Sequence, residues 1–341
     1  MSVYKEKEFV WDAIDRNRKS IAVLCDNIFY FGELGMQEYE TSGLMMQILE
    51  QAGFKIERNL SGMPTGFMAS YGSGKPVIAF HTEFDATPAS SQAPGVAEPK
   101  PIVEGAPGHS EGHNVNAAVM IGAAFAVKKA MDQFGLTGTL KIFGAPAEEQ
   151  LVSRPYFVRD GYFADVDVAF HDHIGKEFGT VYGLRQYALI SAEFTFKGQS
   201  AHAATAPWNA RDALDAVVLM DIGWDKLREH LEPTQRSHRV ITNGGDQPNV
   251  IPNRSSIWWF FRMSQVENTG TRLLESRYDA IIEKATANDK GTKSCRLTPI
   301  MKKEGTNTAR MQNIESKRAI AVRLHASTTA RARETPGSIW V

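Results

Sequence analysis

Two periodicities divide this chain and constrain its fold more than any other feature. In the first half, short apolar runs such as Pro76–Phe80 and Thr139–Phe143 alternate with helical stretches such as Asn114–Phe134. From Ile190 onward, apolar and polar residues alternate with a period of two, which is typical of an antiparallel strand with one buried face. We therefore predict an α/β domain with a mostly parallel sheet, and a smaller α+β domain inserted in it.

The remaining element predictions follow from the same periodicities. Two helices are expected within residues 9–54, and the apolar run at 166–170 predicts another strand. In the second half the expected order is a strand at 190–196, a helix at about 211–231, strands near 239–241 and 257–261, and a helix near 266–287. The predicted domains are 1–185 and 186–295, and residues 296–341 form an incomplete or aberrant segment, which favours a truncation or a change of reading frame.

Composition excludes several classes of protein. The formal net charge of -1 provides no field that would attract nucleic acid or an acidic membrane, and 43% hydrophobic with 23% charged residues is ordinary for a globular protein. The opening MSVYKEKEFVWD lacks an apolar signal core, and no apolar run approaches the ~18 residues of a membrane span. The two cysteines provide no disulfide framework, so we expect a cytoplasmic protein.

Polar residues cluster just after predicted strands or where the following helix begins. The four clusters are His81–Asp85, Gly108–Asn114, Ala147–Glu149 and His171–His173. In α/β sheets, ligands bind at the carboxyl ends of the strands, so these clusters are expected at one site.

Their residue types indicate divalent-metal chemistry. Imidazoles and carboxylates on rigid elements are the ligands that such ions prefer, and His81-x-Glu83 places two of them on one face of a strand. Glu148 and Glu149 are adjacent and point in different directions, so one can bind the ion while the other faces water. A divalent ion lowers the pKa of the water that it binds toward ~7, and a nearby carboxylate can accept the proton.

At these residues the chain resembles a known family, the metallopeptidases that include aminoacylase, carboxypeptidase G and the hippurate and aminobenzoyl-glutamate hydrolases. The resemblance covers roughly residues 10–300 and is specific in GKPVIAFHTEFDA, GHSEGHN, GAPAEEQ, DVDVAFHDH, FKGQSAHAATAPWNARDALDAV and ITNGGDQPNVIP. It implies a metal-binding α/β domain with an inserted lid domain that dimerises, a homodimer or higher homo-oligomer, and hydrolysis of a C–N bond.

The resemblance also implies roles for individual residues. It makes Glu148 the general base and Glu149 a metal ligand, together with the ligands His113 and His173, although the neighbouring His171 is an alternative to His173. In the lid, His202 matches the histidine that reaches a partner's active site to hold the substrate carbonyl or its oxyanion. Asn249 lies in a stretch that contacts substrate.

Two departures from the family pattern affect the metal site. Glu111 stands where a cysteine ligand is expected, and a harder carboxylate shifts the preference from zinc toward manganese, so we expect one or two Mn²⁺ or Zn²⁺ ions. His81 stands where other branches carry a ligand, and we include His81 and Glu83 among the candidate ligands. The family's last metal-ligand region lies beyond the point where the resemblance ends, and His325 in that tail is not a convincing replacement.

The substrate is expected to be a small aromatic molecule that carries a carboxylate. Trp208 could stack on an aromatic ring, and Arg211, Arg254 or Arg262 could hold the carboxylate by a bidentate fork. Three functions stay open. The first is hydrolysis of an N-acyl amino acid or of an aminobenzoate-type amide such as aminobenzoyl-glutamate. The second is hydrolysis of an aromatic amine to the phenol, as the related nitroanthranilate aminohydrolase does, and the third is an inactive, truncated paralogue that acts as a binding or partner subunit.

Overall fold

A computed structural model describes residues 5–176, 179–180, 188–263, 300–302 and 339–340. The chain divides into two compact units, Met1–Leu184 with Thr329–Val341, and Arg185–Thr328. None of the helices in these described ranges is both long and apolar enough to cross a membrane.

Four α-helices lie in the described part of the first unit. They are α1 (Lys5–Phe31), α2 (Tyr39–Gln51), α3 (His113–Phe134) and α4 (Ser153–Arg159). Leu24 and Ile28 of α1, Leu49 of α2 and Ile121 of α3 belong to one buried apolar cluster. The helical spacing of these residues, predicted from the sequence, is therefore what buries one stripe of each helix.

A six-stranded sheet lies in the same unit. Its strands are β1 (Lys55–Arg58), β2 (Phe67–Ser73), β3 (Val77–Thr82), β4 (Gly138–Gly144), β5 (Val168–His171) and β10 (Ile339–Trp340), in the order β1-β2-β4-β3-β5-β10. The pairings of β3 with β4, β3 with β5 and β5 with β10 are parallel, whereas β1 with β2 and β2 with β4 are antiparallel. The predicted α/β class is confirmed, with a mixed sheet.

The central strand β3 is buried on both faces. Phe80 packs in the cluster that includes residues of α1, α2 and α3, while its neighbour Ala79 packs in a second cluster with Phe157 of α4. Because β3, β4 and β5 are parallel, their carboxyl ends meet at one edge of the sheet. Helices on both faces thus exclude water from the strands that lead to that edge.

In the second unit, the described residues form an antiparallel sheet and an α-helix. The elements are β6 (Ala188–Lys197), α5 (Ala213–Arg228), β7 (Arg236–Asn243), β8 (Arg254–Met263) and β9 (Ile300–Lys302), with strand order β7-β8-β6-β9. Phe194 of β6, Trp224 of α5 and Trp259 of β8 are buried together. The Asp212 carboxylate begins α5 by accepting a hydrogen bond of 2.7 Å from the Leu214 backbone N–H.

Most of the predicted elements agree with the structure. The strands and helices expected in residues 9–54, 76–80, 114–134, 139–143, 166–170, 190–196, 211–231, 239–241 and 257–261 are confirmed. The antiparallel pair β1 and β2 and the short helix α4 had not been predicted. The helix near 266–287 and most of segment 296–341, including His325, lie outside the described residues.

Candidate metal centre

The four predicted polar clusters meet at the carboxyl edge of the first unit's sheet. Their ligand atoms form three overlapping groups, and within each group all atoms lie within 4.8 Å of one another. The groups are His81–Glu83–His171, Glu83–His113–His173 and Glu111–His113–Glu149. All six predicted metal ligands, and His171 as well, are therefore brought together.

His81 and His171 form one end of this cluster. They are register partners on the adjacent parallel strands β3 and β5, and their rings stack at 4.4 Å with an interplanar angle of 4°. Burial, followed by the positive charge of Arg154, lowers the pKa of His81 well below its usual range and that of His171 to about 4. Both imidazoles are therefore neutral at pH 7, the form in which histidine binds metals.

Glu83 lies next to these histidines and is completely buried. One oxygen, Oε1, accepts a hydrogen bond of 3.2 Å from the Asn116 amide and lies 3.4 Å from His171 Nε2. The other, Oε2, forms an ion pair with Arg154 Nη2. A buried carboxylate needs such a counter-charge, because it would otherwise be strongly destabilised.

The opposite end consists of Glu111, His113 and Glu149. Gly112 has a left-handed backbone with φ 75°, and a Cβ atom there would lie 2.6 Å from Ile174 Cγ1, so glycine is required between the two ligands. His113 is only 1% exposed and opens α3. Its Nδ1 lies 3.0 Å from the Asp85 carbonyl oxygen and 3.3 Å from Asp85 Oδ1, which orients Nε2 toward the cluster.

Two buried atoms at this end have no hydrogen-bond partner among the described residues. They are His113 Nε2 and Glu149 Oε1. Buried polar atoms are nearly always satisfied, so a pair of orphaned ligand atoms within a group of carboxylates and an imidazole fits a divalent cation. Glu111 is exposed and would complete the group from the solvent side.

The electrostatics of this end agree with an excess of negative charge. Burial, and next the Glu111 carboxylate, raise the pKa of Glu149 to about 7. Burial lowers the pKa of His113, but its hydrogen bond to Asp85 and the charges of Asp85, Glu148 and Glu149 outweigh burial, so the net shift is upward. Each shift indicates that this end lacks positive charge.

Glu148 lies between the two ends. Its Oε1 accepts a hydrogen bond of 3.3 Å from Arg154 Nη1, and its Oε2 is 3.9 Å from His113 Nε2. Glu148 is half-buried, so that one side of its carboxylate faces the cluster and part of it reaches solvent. A carboxylate in this position can accept a proton from a water molecule beside the cluster.

The turn that carries Glu148 is stabilised by residues that are distant in the sequence. Ala147 has a left-handed backbone with φ 53°, and its N–H donates a hydrogen bond of 2.8 Å to the buried Glu38 carboxylate. Thr65 donates a second bond of 2.8 Å to Glu38, and burial raises the pKa of Glu38 to about 7. Gly35 packs directly on this turn, since a Cβ atom there would lie 2.9 Å from Ala147 Cβ.

Three residues of this site were not predicted as functional. Asp85 binds His113 and also accepts a 3.0 Å hydrogen bond from the Glu149 backbone N–H, so it connects two candidate ligands. Its position two residues after Glu83 was a usable signal. Arg154 and Glu38 carried no comparable signal, because each reaches the site from a separate part of the chain.

The remaining candidate residues lie in the second unit. His202 is exposed, and its Nδ1 accepts a hydrogen bond of 3.2 Å from the Ala204 backbone N–H. Asn249 is close to it, because the Asn249 carbonyl accepts a 3.0 Å hydrogen bond from the Ala203 N–H. Trp208 is 75% exposed, and Arg254 begins β8 with an exposed side chain. Within this unit His202 and Asn249 are neighbours available to a ligand.

Comparisons with known sequences agree with this geometry. The family described as the peptidase dimerisation domain matches residues 184–289. A p-aminobenzoyl-glutamate hydrolase subunit of Escherichia coli (strain K12) is 37% identical over 290 residues, which cover 85% of this chain and 60% of that protein. The Xaa-Arg dipeptidase of Mus musculus is 29% identical over 264 residues, 74% of this chain and 57% of that protein. The chain thus spans less than two thirds of these relatives.

Solved structures show the same fold. The aminobenzoyl-glutamate utilization protein of Klebsiella pneumoniae matches with a TM-score of 0.60 at 17% identity, covering 84% of this chain and 77% of that one. A dinuclear metal binding peptidase of Bacillus subtilis from the M20 family matches with a TM-score of 0.54 at 20% identity, covering 96% and 89%.

Proposed function

The chain belongs to the M20 peptidase family, and from this premise we propose that it hydrolyses a C–N bond with the help of a divalent metal ion. The ligands in this proposal are Glu111, His113, Glu149 and His173, with His81 and Glu83 beside them, and His171 as the alternative to His173. The orphaned Nε2 atom of His113 and Oε1 atom of Glu149, buried in one group of ligand atoms, are the observation that carries the proposal.

Each residue then has a distinct task. Glu111, His113 and Glu149 would hold a divalent ion, which when bound would lower the pKa of water and polarise the oxygen of a scissile bond. Glu148 accepts the proton of the attacking water and passes it to the leaving nitrogen. Asp85 fixes the ring of His113 through Nδ1 and the backbone of Glu149, and so keeps two ligands in position.

For the substrate, we propose a small aromatic molecule that carries a carboxylate. Trp208 offers an exposed ring for stacking and Arg254 an exposed guanidinium for the carboxylate. Asn249 is exposed, and its backbone carbonyl bonds the N–H of Ala203, the chain neighbour of His202. His202 would donate a hydrogen bond to the substrate carbonyl or its oxyanion. The Escherichia coli relative, named for hydrolysis of p-aminobenzoyl-glutamate, favours an aminobenzoate-type amide over hydrolysis of an aromatic amine.

The same comparisons support a multi-subunit protein. A peptidase dimerisation domain at residues 184–289 supports a homodimer, and the Escherichia coli relative is itself named as one subunit of a hydrolase. We propose a homodimer that acts in the cytoplasm.

Metal analysis combined with a substrate screen tests the function. Purified protein is expected to retain manganese or zinc after dialysis, and Glu111→Ala to lose at least ~10-fold in metal affinity. Glu111→Cys should shift preference toward zinc. Glu104→Ala, an exposed glutamate in the same loop, is the matched control and should bind as the parent does.

The screen uses aminobenzoyl amides and aromatic amines. Release of an amino acid identifies amide hydrolysis, whereas release of ammonia with a phenol identifies aminohydrolase activity. A chain that binds no metal and converts none of these compounds would contradict the proposed function and support the inactive partner-subunit alternative. Full metal binding by Glu111→Ala would instead show that the ligand set is wrong.

A further inference from the structure

The two ends of the metal cluster differ in charge compensation. At one end, the buried Glu83 already has a cation of the chain's own, because Arg154 Nη2 forms an ion pair with its Oε2. Its Oε1 is engaged by Asn116 and lies near His171. The charge of Glu83 is therefore compensated by Arg154, and its Oε1 is hydrogen-bonded, without any added ion.

The other end has no such partner. Among the residues that the structure describes, neither Glu111 nor Glu149 forms an ion pair with a lysine or arginine. His113 Nε2 and Glu149 Oε1 are buried there without a hydrogen bond. The two carboxylates and the imidazole at this end thus lack a partner cation such as the one that Arg154 provides to Glu83.

Resting on the proposed metal-dependent function, we propose that Arg154 is a built-in cation that takes the place of a second metal ion. The chain then holds one divalent ion, at the Glu111–His113–Glu149 end. The His81–Glu83–His171 group has the ligand atoms of a second site. However, the guanidinium of Arg154 is paired with the Glu83 carboxylate of this group, and its positive charge repels a second ion.

Arg154 is also a positioning residue for the proposed base. Its Nη1 donates to Glu148 Oε1 at 3.3 Å while Nη2 contacts Glu83, so one planar guanidinium connects the two carboxylates. An arginine is suited to this task because it stays charged even where burial lowers the pKa, and its fork addresses two acceptors at fixed spacing. A metal ion at the same place would have to displace both contacts.

The test is the metal stoichiometry of the full chain, measured by inductively coupled plasma mass spectrometry after equilibration with excess Mn²⁺ and gel filtration. Wild type is expected to bind one ion per chain, and Arg154→Met, which keeps the side-chain length but removes the charge, to bind two. The double variant Arg154→Met with Glu83→Gln should return to one ion. Arg154→Lys should stay at one, because the ammonium retains the charge.

Arg159→Met is the matched control, since Arg159 lies on the same helix and pairs with the exposed partner Asp160. It should bind one ion. Two ions in wild type would overturn the inference, and so would one ion in an Arg154→Met protein whose circular dichroism spectrum matches wild type. If Arg154→Met does not fold, Glu83→Gln in the wild-type background decides: one ion is expected, and loss of that ion would overturn the inference. No ion in wild type would overturn the proposed function itself.

Discussion

The central strand β3 of the first sheet and the edge strand β7 of the second differ in how much of each is shielded from water. Strand β3 of the first sheet has no exposed residue along Val77–Thr82, whereas most residues of β7 in the second sheet are exposed. A strand that is covered on both faces can lead to buried polar groups at its carboxyl end, as β3 does with His81 and Glu83. The comparison shows that a strand covered on both faces can alter the chemistry of the side chains at its end, while an edge strand presents its side chains to the solvent.

The candidate residues follow the same division. Glu83 and His113 are 0% and 1% exposed, and neighbouring groups show strong pKa shifts caused mainly by burial. Trp208 in the second unit is 75% exposed. If the comparison holds, variants in the first unit should change chemistry and metal binding, and variants in the second should change substrate handling or stability without removing metal.

The largest effect is expected for Glu148→Gln in the first unit. The amide keeps the size of the side chain but cannot accept a proton, so turnover should fall by ~10²–10⁴. Metal content should be unchanged, since Glu148 is not in the ligand groups. Steady-state kinetics and metal analysis of the same sample measure both quantities. Glu104→Gln serves as a control, and a fully active Glu148→Gln enzyme would exclude the residue as the base.

In the second unit, Trp259→Ala should destabilise the protein by ~3–5 kcal/mol. Trp259 is completely buried and packs against Trp224 at a centroid distance of 5.7 Å, so its loss leaves a cavity. Trp258 lies on the other face and is only half-buried, and Trp258→Ala should cost less. Urea unfolding with a second-unit probe measures the difference. Equal losses in the two variants would argue against a sheet with a single buried face.

A third variant, His202→Ala, tests whether the second unit contributes to turnover without contributing to metal binding. Loss of a hydrogen bond to a developing oxyanion lowers turnover by ~10²–10³. Because His202 is exposed in the second unit, we expect no change in folding or in bound metal. Activity, circular dichroism and metal content of one preparation test this. A loss of metal together with activity would mean that the units do not divide these tasks.

The smallest expected effect concerns the pH dependence of Glu38. Burial raises the pKa of Glu38 from 4.5 to about 7. Between these values the unfolded chain has lost the proton that the folded chain keeps, so the wild type loses stability as pH rises, by at most ~3 kcal/mol. Glu38→Gln should lack this loss, because the amide does not ionise. Chemical unfolding of both proteins at several pH values between ~4 and 8 measures it; parallel curves would contradict the shift.

Much of the first unit could be predicted from local patterns. The apolar spacing in α1, α2 and α3 and the runs in β3, β4 and β5 are visible in short windows of sequence, and so are the polar clusters that follow them. Strand β1 was missed because Lys55–Arg58 is almost entirely exposed and has no apolar alternation. Its structure depends on pairing with β2 along the register Lys55 to Ser70.

The contacts that organise the site were less accessible to sequence reasoning. Glu38 reaches Ala147 across 109 residues, and Arg154 reaches Glu83 from a helix in another part of the chain. A lone arginine on a helix, or a lone glutamate just before one, is usually a surface charge, and only the folded chain shows that these two are not. The choice between His171 and His173 also stayed open, because both belong to groups of ligand atoms.

The close packing of Gly35 against Ala147 limits how this site can be redesigned. Any side chain at position 35 would enter space that Ala147 already fills, since even a Cβ atom would lie 3.0 Å from the Ala147 Cα. Most substitutions at position 35 are therefore expected to disrupt the packing of the turn at Ala147. The orientation of the Glu148 side chain is better varied through Glu38 and Thr65. Glu38 accepts a hydrogen bond from the turn and Thr65 donates one to Glu38, and both side chains can be exchanged for longer or shorter groups.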